Sequence, residues 1–337
     1  MTYSQTNGGI HMRLSSRSWA FAAVVLTCAF CCATATAQEK KKVVIGLVAK
    51  SQSNPVFQAA YSGAKDAAKE LGPKYGVDVV IDWQTPPGED AQEQAKAIER
   101  LANGGASAIA VSCSDANTVT PAINKAVDLG VPVVCFDSDA PRSKRFACYG
   151  TDDDYCGKVI MDQLAKAMGE KGNVAILSGN QSAPNLRKRV EGAKEALKKY
   201  PNMKLVADGV FYTVETPEAA AQTVQAAQST HPEIEGWAMI GGWPLFTKNA
   251  LKWNPGEVKA VSCDALPAQL GYLESGHVQA LYAQDCYGWG YKSVELLLDK
   301  VVKNKAPSSG KITDPLKLVT KENAAEVMKM WDKWVGK

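Results

Sequence analysis

The sequence predicts an α/β protein built on parallel sheet, and three observations carry that reading. From Val43 onward, short β-branched or apolar runs alternate with helical patterns of roughly 10 to 17 residues, the form of repeated βαβ units. Most of these runs are apolar on both faces, as strands covered by helices on either side must be. The residues just past the runs are polar with marked regularity.

In order, the expected strands are VVIGLVA from Val43, VDVVID from Val77, SAIAVS from Ser107, PVVCFD from Pro132, NVAILS from Asn173, KLVADG from Lys204, GWAMIG from Gly236, VKAVSCD from Val258 and VQALYAQ from Val278. Between them, Ala91, Ala95, Ile98 and Leu101 share one helix face, as do Val190, Ala193, Ala196 and Leu197. Gly72, Gly104, Gly130 and Gly169 are placed where helices should end. No Ser/Pro-rich linker interrupts the pattern. One large doubly wound sheet and two sheets with several chain crossings both fit, and Phe146 to Tyr155 (FACYGTDDDY) is the best place for a first crossing.

Upstream, Arg13 and Arg17 precede a run from Trp19 to Phe30 that is apolar except for Thr27, and Ala35-Thr36-Ala37 supplies small residues for cleavage before Gln38. Residues 1–37 therefore read as a signal peptide, with Met12 an alternative start, and the mature chain as a soluble periplasmic protein. The run is shorter than the 18 or so apolar residues a spanning helix needs. Cys28, Cys31 and Cys32 are poorly flanked for lipidation. About 300 residues remain, enough for two lobes.

The formal net charge of +3 points to no charged partner and not to nucleic acid. Six cysteines follow the leader: Cys113, Cys135, Cys148, Cys156, Cys263 and Cys286. Free buried thiols and full pairing are equally compatible with the sequence, and Cys148 with Cys156 and Cys263 with Cys286 are the first candidate pairs. His231 and His277 stand alone and no CxxC follows the leader, so neither metal nor cofactor is expected.

Ligands of open parallel sheets bind outside the carboxyl ends of the strands. Those ends carry Lys50 to Asn54, then Ser112, Ser114 and Asp115, then Asp137, Ser138 and Asp139, and further on Asn180 to Ser182, Gly241-Gly242-Trp243, Asp264, Gln284 and Asp285. Any one of them has a plain explanation as a helix cap or turn residue. Together they make a rim suited to a sugar or polyol: Asn54, Asp137, Arg189, Asp264 and Gln284 can pair with adjacent hydroxyls, and Phe57 and Trp243 can cover apolar C–H faces or serve as packing residues.

At these residues the chain resembles the ribose-type periplasmic sugar-binding proteins of bacterial ABC importers, exported relatives of the LacI-type ligand domain. The resemblance rests on Ser53-Asn54-Pro55-Val56-Phe57, Val133 to Asp137, Arg187 to Gly192, His231-Pro232, Val261 to Asp264 and Ala283-Gln284, in order over about 240 residues. It implies the periplasmic binding protein type 1 architecture: two Rossmann-like lobes, each a parallel sheet with helices on both faces, joined by a three-stranded hinge. On this chain the lobes would be 42–151 plus 285–311, and 152–284 plus 312–337.

It further implies that Asn54, Phe57 and Asp137 touch the ligand from one lobe, and Arg189, Asp264 and Gln284 from the other lobe and hinge. Four departures point away from ribose: Ser138 replaces an arginine, Val56 an aromatic, Ser112 an asparagine, and Gly241-Gly242-Trp243 an asparagine-aspartate pair. The implied protein is a monomer that closes on a small polyol and is recognised by a membrane permease. A receptor role, presenting the bound molecule to a chemoreceptor or sensor kinase, is the alternative. An enzyme using Asp137 and Asp264 as acid and base is disfavoured, because no GxSxG elbow, P-loop or catalytic triad is visible.

Overall fold

The computed structural model describes residues 40–334, without the side chains of residues 207 and 208. The expected leader lies outside the described residues.

The chain forms two six-stranded sheets of matching order. The first contains β1 (Lys41–Val48), β2 (Val77–Trp83), β3 (Ala108–Val111), β4 (Val133–Phe136), β5 (Ala147–Thr151) and β11 (Lys311–Asp314), arranged β11-β5-β4-β3-β1-β2. The second contains β6 (Lys171–Ser178), β7 (Asn202–Tyr212), β8 (Gly236–Met239), β9 (Lys259–Cys263), β10 (Ala280–Ala283) and β12 (Lys317–Val319), arranged β12-β10-β9-β8-β6-β7. Every pairing is parallel except β10 with β12. All four residues of β3, β4 and β8 are buried, so these central strands are apolar on both faces. Each fully buried valine or isoleucine there contributes roughly 1.5–3 kcal/mol.

The nine sequence-derived strands are all present. β5, β11 and β12 were not anticipated: β5 lies in the stretch read only as a crossing, and the other two are short edge strands without an apolar run. The sheets exchange chain three times. The first crossing is at Asp152, between β5 and α4 (Asp153–Met168), and the second is between β10 and α8 (Cys286–Lys303). The third lies between β11 and β12, past the boundary expected at residue 311, because β11 extends the first sheet to Asp314.

Helix starts explain several of the polar strand ends. Asn54, Asp90, Asp115, Asp152 and Asp285 each accept a backbone N–H as N-caps of α1 (Pro55–Tyr75), α2 (Ala91–Asn103), α3 (Ala116–Asp128), α4 and α8. The plain reading is therefore right for Asp115 and Asp285. Gly104 and Gly169 are C-caps, but α1 continues through Gly72 to a left-handed cap at Gly76.

Each lobe also holds one very close helix pair. In the first, Gly63 of α1 meets the Tyr287 carbonyl of α8, and Gly290 of α8 meets the Ala60 carbonyl. In the second, Gly157 of α4 meets the Arg189 carbonyl of α5 (Pro184–Leu197), and Gly192 of α5 meets the Asp154 carbonyl. A β-carbon at any of the four would overlap a backbone oxygen.

All six cysteines are buried and free, and neither candidate disulfide is present. Cys148 lies in the first sheet and Cys156 in the second lobe; Cys263 ends β9 while Cys286 opens α8 on the first lobe. Either bond would have tied the lobes together across the hinge. Instead Cys156 Sγ faces Cys263 Sγ at 3.7 Å within one lobe.

Candidate ligand-binding site

The carboxyl ends of the two sheets face each other across a cleft, and two aspartates stand at equivalent places in it. Asp137 follows β4 and Asp264 follows β9. Both adopt left-handed backbone, with φ of 55° and 66°. Each donates its backbone N–H to a tyrosine carbonyl on the neighbouring strand, Asp137 to Tyr149 and Asp264 to Tyr282. Aspartate tolerates this conformation better than most residues with a β-carbon. The sharp turn lifts each carboxylate off its strand end and into the cleft.

A connected polar network surrounds them. Ser112 Oγ donates to Asp137 Oδ2 at 2.7 Å, and Asn185 Nδ2 reaches across from the second lobe to Asp137 Oδ1 at 3.1 Å. Gln284 Nε2 donates to Asp264 Oδ1 at 2.7 Å, while Gln284 Oε1 accepts from Arg189 Nη2 at 2.7 Å and from Thr151 Oγ1 at 2.9 Å. Arg189 Nε is held by Asp153 Oδ1 at 3.0 Å, behind the cleft wall. The guanidinium is thereby fixed between both lobes and the hinge. The other two crossings are tied to each other, since Asp314 Oδ2 accepts the Asp285 N–H and Asp285 Oδ2 accepts the Tyr149 hydroxyl.

Of the nine residues the sequence singled out, Asn54, Phe57, Asp137, Arg189, Trp243, Asp264 and Gln284 line this cleft together. Ser112 and Ser138 do not. The Ser112 hydroxyl is engaged with Asp137, and Ser138 is fully buried with its Oγ unpartnered among the described residues. Trp243 opens a short 3₁₀ turn and packs in a small cluster with Ala183, Leu186 and Ala220; a β-carbon at Gly241 would overlap its ring, which explains the adjoining glycine.

Asn185, Leu186, Glu215 and Trp289 also line the cleft without having been singled out from the sequence, and Lys50, named there only as part of a polar strand end, joins them. Lys50 lies in the polar segment after β1, so position was its signal, whereas Trp289 in the first turns of α8 carried none. Its indole is 6.1 Å from the Phe57 ring, centroid to centroid.

The central cleft holds about 30 Å³ of open space, room for a water or two and far too little for a sugar, so the lobes are closed on each other. A chamber of about 160 Å³ adjoins it, lined by Lys50, Ser53 and Phe57 from one lobe, Glu89 from the β2–α2 loop, and Val214 and Glu215 from the other. A roomier hollow, about 460 Å³, lies on the flank of the second lobe beside Gln228 and Trp253, away from the strand ends. Convergent charged groups, more than volume, mark the interlobe cleft as the site.

Burial and neighbouring charges shift Lys50, Asp264 and Glu215 in the cleft. Burial works against the Lys50 ammonium, but Glu215, Asp137 and Glu89 outweigh it and its pKa rises. Burial pushes Asp264 upward against the opposing Gln284 hydrogen bond and Arg189 charge. Burial pushes Glu215 up to about 7, with Lys50 opposing and Glu89 adding to the rise. A Glu215 side chain that keeps its proton to higher pH when folded makes the folded chain bind more protons than the unfolded one between about 4.5 and about 7. Stability from this group is thus full below the lower value and lost as pH rises through the upper one. The melting temperature should fall across that window more steeply in the wild type than in Glu215→Gln; identical slopes would show that Glu215 is solvated.

Two parallel-sheet α/β lobes joined by three crossings, with convergent polar side chains in the cleft between them, define the class of two-lobed binding proteins. Residues 45–305 match the family model described as periplasmic binding protein domain, and the chain belongs to that family. It is similar to the ribose import binding protein of Escherichia coli K12, at 28% identity over 293 residues covering 86% of this chain and 95% of that protein. It is also similar to the D-ribose/D-allose-binding protein of Pseudomonas aeruginosa, at 26% identity covering 91% and 99%. Among solved structures, an ABC transporter solute binding protein from Burkholderia graminis in complex with D-arabinose matches with a TM-score of 0.78 and 26% identity, over 85% of this chain and 98% of that one. The family comprises substrate-binding proteins, not enzymes, so the acid-base reading of Asp137 and Asp264 falls away.

Proposed function

We propose that this chain is the extracytoplasmic solute-binding component of an ABC importer, and that it captures a small sugar or polyol between its lobes. The observation that carries this is the opposition of Asp137 and Asp264 on matching left-handed turns of the two sheets, joined through Arg189 and Gln284. Hydroxyls need paired donors and acceptors, and this network provides both beside the rings of Phe57, Trp243 and Trp289. The sugar-binding relatives support the same reading.

Closure follows from the contacts. A solute bridging Asp137 and Asp264 touches both only when the lobes meet, so it stabilises the closed state by that difference, and the crossings at Asp152, Asp285 and between β11 and β12 absorb the motion. The closed form, acting as a monomer, is what the permease would recognise. With 30 Å³ free at the centre, entry requires the lobes to part and several side chains to withdraw.

A thermal-shift panel of pentoses, hexoses, deoxysugars, sugar alcohols and cyclitols tests the proposal. A true solute at a hundred times its dissociation constant should add about 2.7 kcal/mol, a shift of several degrees. A well-folded chain that responds to none of the panel would overturn the sugar reading.

A further inference from the structure

The cleft carries more negative charge than its cations balance. Asp137, Asp264, Glu215 and Glu89 surround a single lysine, Lys50, and the one arginine, Arg189, is shared between Asp153 at 3.0 Å and Asp137 at 4.0 Å. The imbalance is greatest at the chamber beside the cleft centre. There the Glu215 side chain is only 8% exposed; its Oε1 accepts the Asn180 backbone N–H at 3.2 Å, but its Oε2 has only the Lys50 ammonium at 3.9 Å, beyond hydrogen-bond reach. Glu89 lines the same chamber, with Oε1 accepting from Asn180 Nδ2 at 3.0 Å.

A carboxylate oxygen on a largely buried side chain, with no hydrogen-bond donor and only a distant ammonium, favours a proton or a cation in the chamber it faces. Lys50 serves it only at a distance, its ammonium 3.9 Å from Glu215 Oε2 and 3.4 Å from Asn185 Oδ1. The other chamber walls are Ser51, Ser53 and Thr216 together with Phe57 and Val214, a mixture suited to a hydroxylated unit and not to a bare metal ion. Among the described residues no cluster of metal-ligating side chains occurs.

We propose that the preferred solute is a cationic amino sugar, its ammonium seated in the chamber between Glu215 and Glu89 while its hydroxyls meet Asp137, Asp264 and Gln284. This deepens the sugar-binding reading and rests on it. The ammonium replaces the proton that burial otherwise holds on Glu215, so binding expels that proton near neutral pH. The charged groups bearing on Glu215 are Lys50, which opposes the proton, and Glu89 and Asp137, which favour it.

The test is calorimetry of the purified chain with D-glucosamine, D-galactosamine and D-mannosamine, each beside its parent hexose and its N-acetyl form. One amine should bind at least about 10-fold more tightly than both neutral counterparts, because its charge-assisted bonds have no equivalent in them. In Glu215→Gln, checked for folding by its melting temperature, that preference should shrink towards parity. A parent hexose or other neutral sugar binding as tightly as its amine would overturn the amino-sugar proposal and leave sugar binding intact. A preference that survives in both Glu215→Gln and Glu89→Gln would overturn the placement of the amine. Binding of no sugar, charged or neutral, would overturn both this proposal and the one beneath it.

Discussion

Asp137→Asn and Asp264→Asn are each expected to weaken solute binding by about 100-fold or more, while leaving the protein folded. Each carboxylate offers acceptor oxygens that an amide halves and replaces with a donor. Asp137 already accepts from Ser112 and Asn185, so the amide would satisfy one of these and turn its NH₂ against the other or against the solute. Asparagine is the informative substitution because it tolerates the left-handed backbone of both positions, whereas alanine would add strain of about 1 kcal/mol or more to the lost hydrogen bonds. Calorimetry with whichever solute the thermal panel identifies measures the effect. An affinity within a few-fold of wild type in either amide variant would remove that aspartate from the site.

Gly157→Ala is expected to cost the fold roughly 2–4 kcal/mol, at the upper end of what overpacking does. The new methyl would overlap the carbonyl of Arg189, and the facing Gly192 has no slack because it already rests on the Asp154 carbonyl. Helices α4 and α5 can accommodate the methyl only by separating. Their separation would pull Arg189 from Asp153 and Gln284, so affinity should fall along with stability. Gly271→Ala is the matched control. It sits exposed inside α7 (Pro267–Glu274) with no atom near its would-be β-carbon, and should be neutral or stabilising by up to about 1 kcal/mol. Urea denaturation of both variants separates the cases. Equal stabilities would mean that the α4–α5 contact is looser than described.

Local pattern made much of this molecule legible. Runs such as AIAV and VVCF are apolar in both phases of the strand alternation, and only a strand covered on both faces keeps such a run in water. Asp137 and Asp264 were legible because they immediately follow such runs, and strand ends are where a parallel sheet gathers its ligands. β11 and β12 carry no comparable run, being held by pairing to β5 and β10 alone, and β5 was hidden because its ACYGT mixes small and polar residues.

What remained illegible depends on segments far apart in the chain. Lys50 meets Asn185 across 135 residues, and Glu89 meets Asn180 across 91, because two lobes close on one another. Cys156 faces Cys263 although Cys148 and Cys286 are nearer in sequence, since the crossings assign those two to the opposite lobe. Gly157 and Gly192 look like any helix glycines until α4 and α5 touch. The amino-acid order sets which residues form strands, caps and polar ends, because those are short-range matters of period and backbone preference. Only the packing of the two lobes decides which polar ends share a cleft, what charge collects there and how closely the helices behind it must approach, because those are sums over contacts that no local window contains.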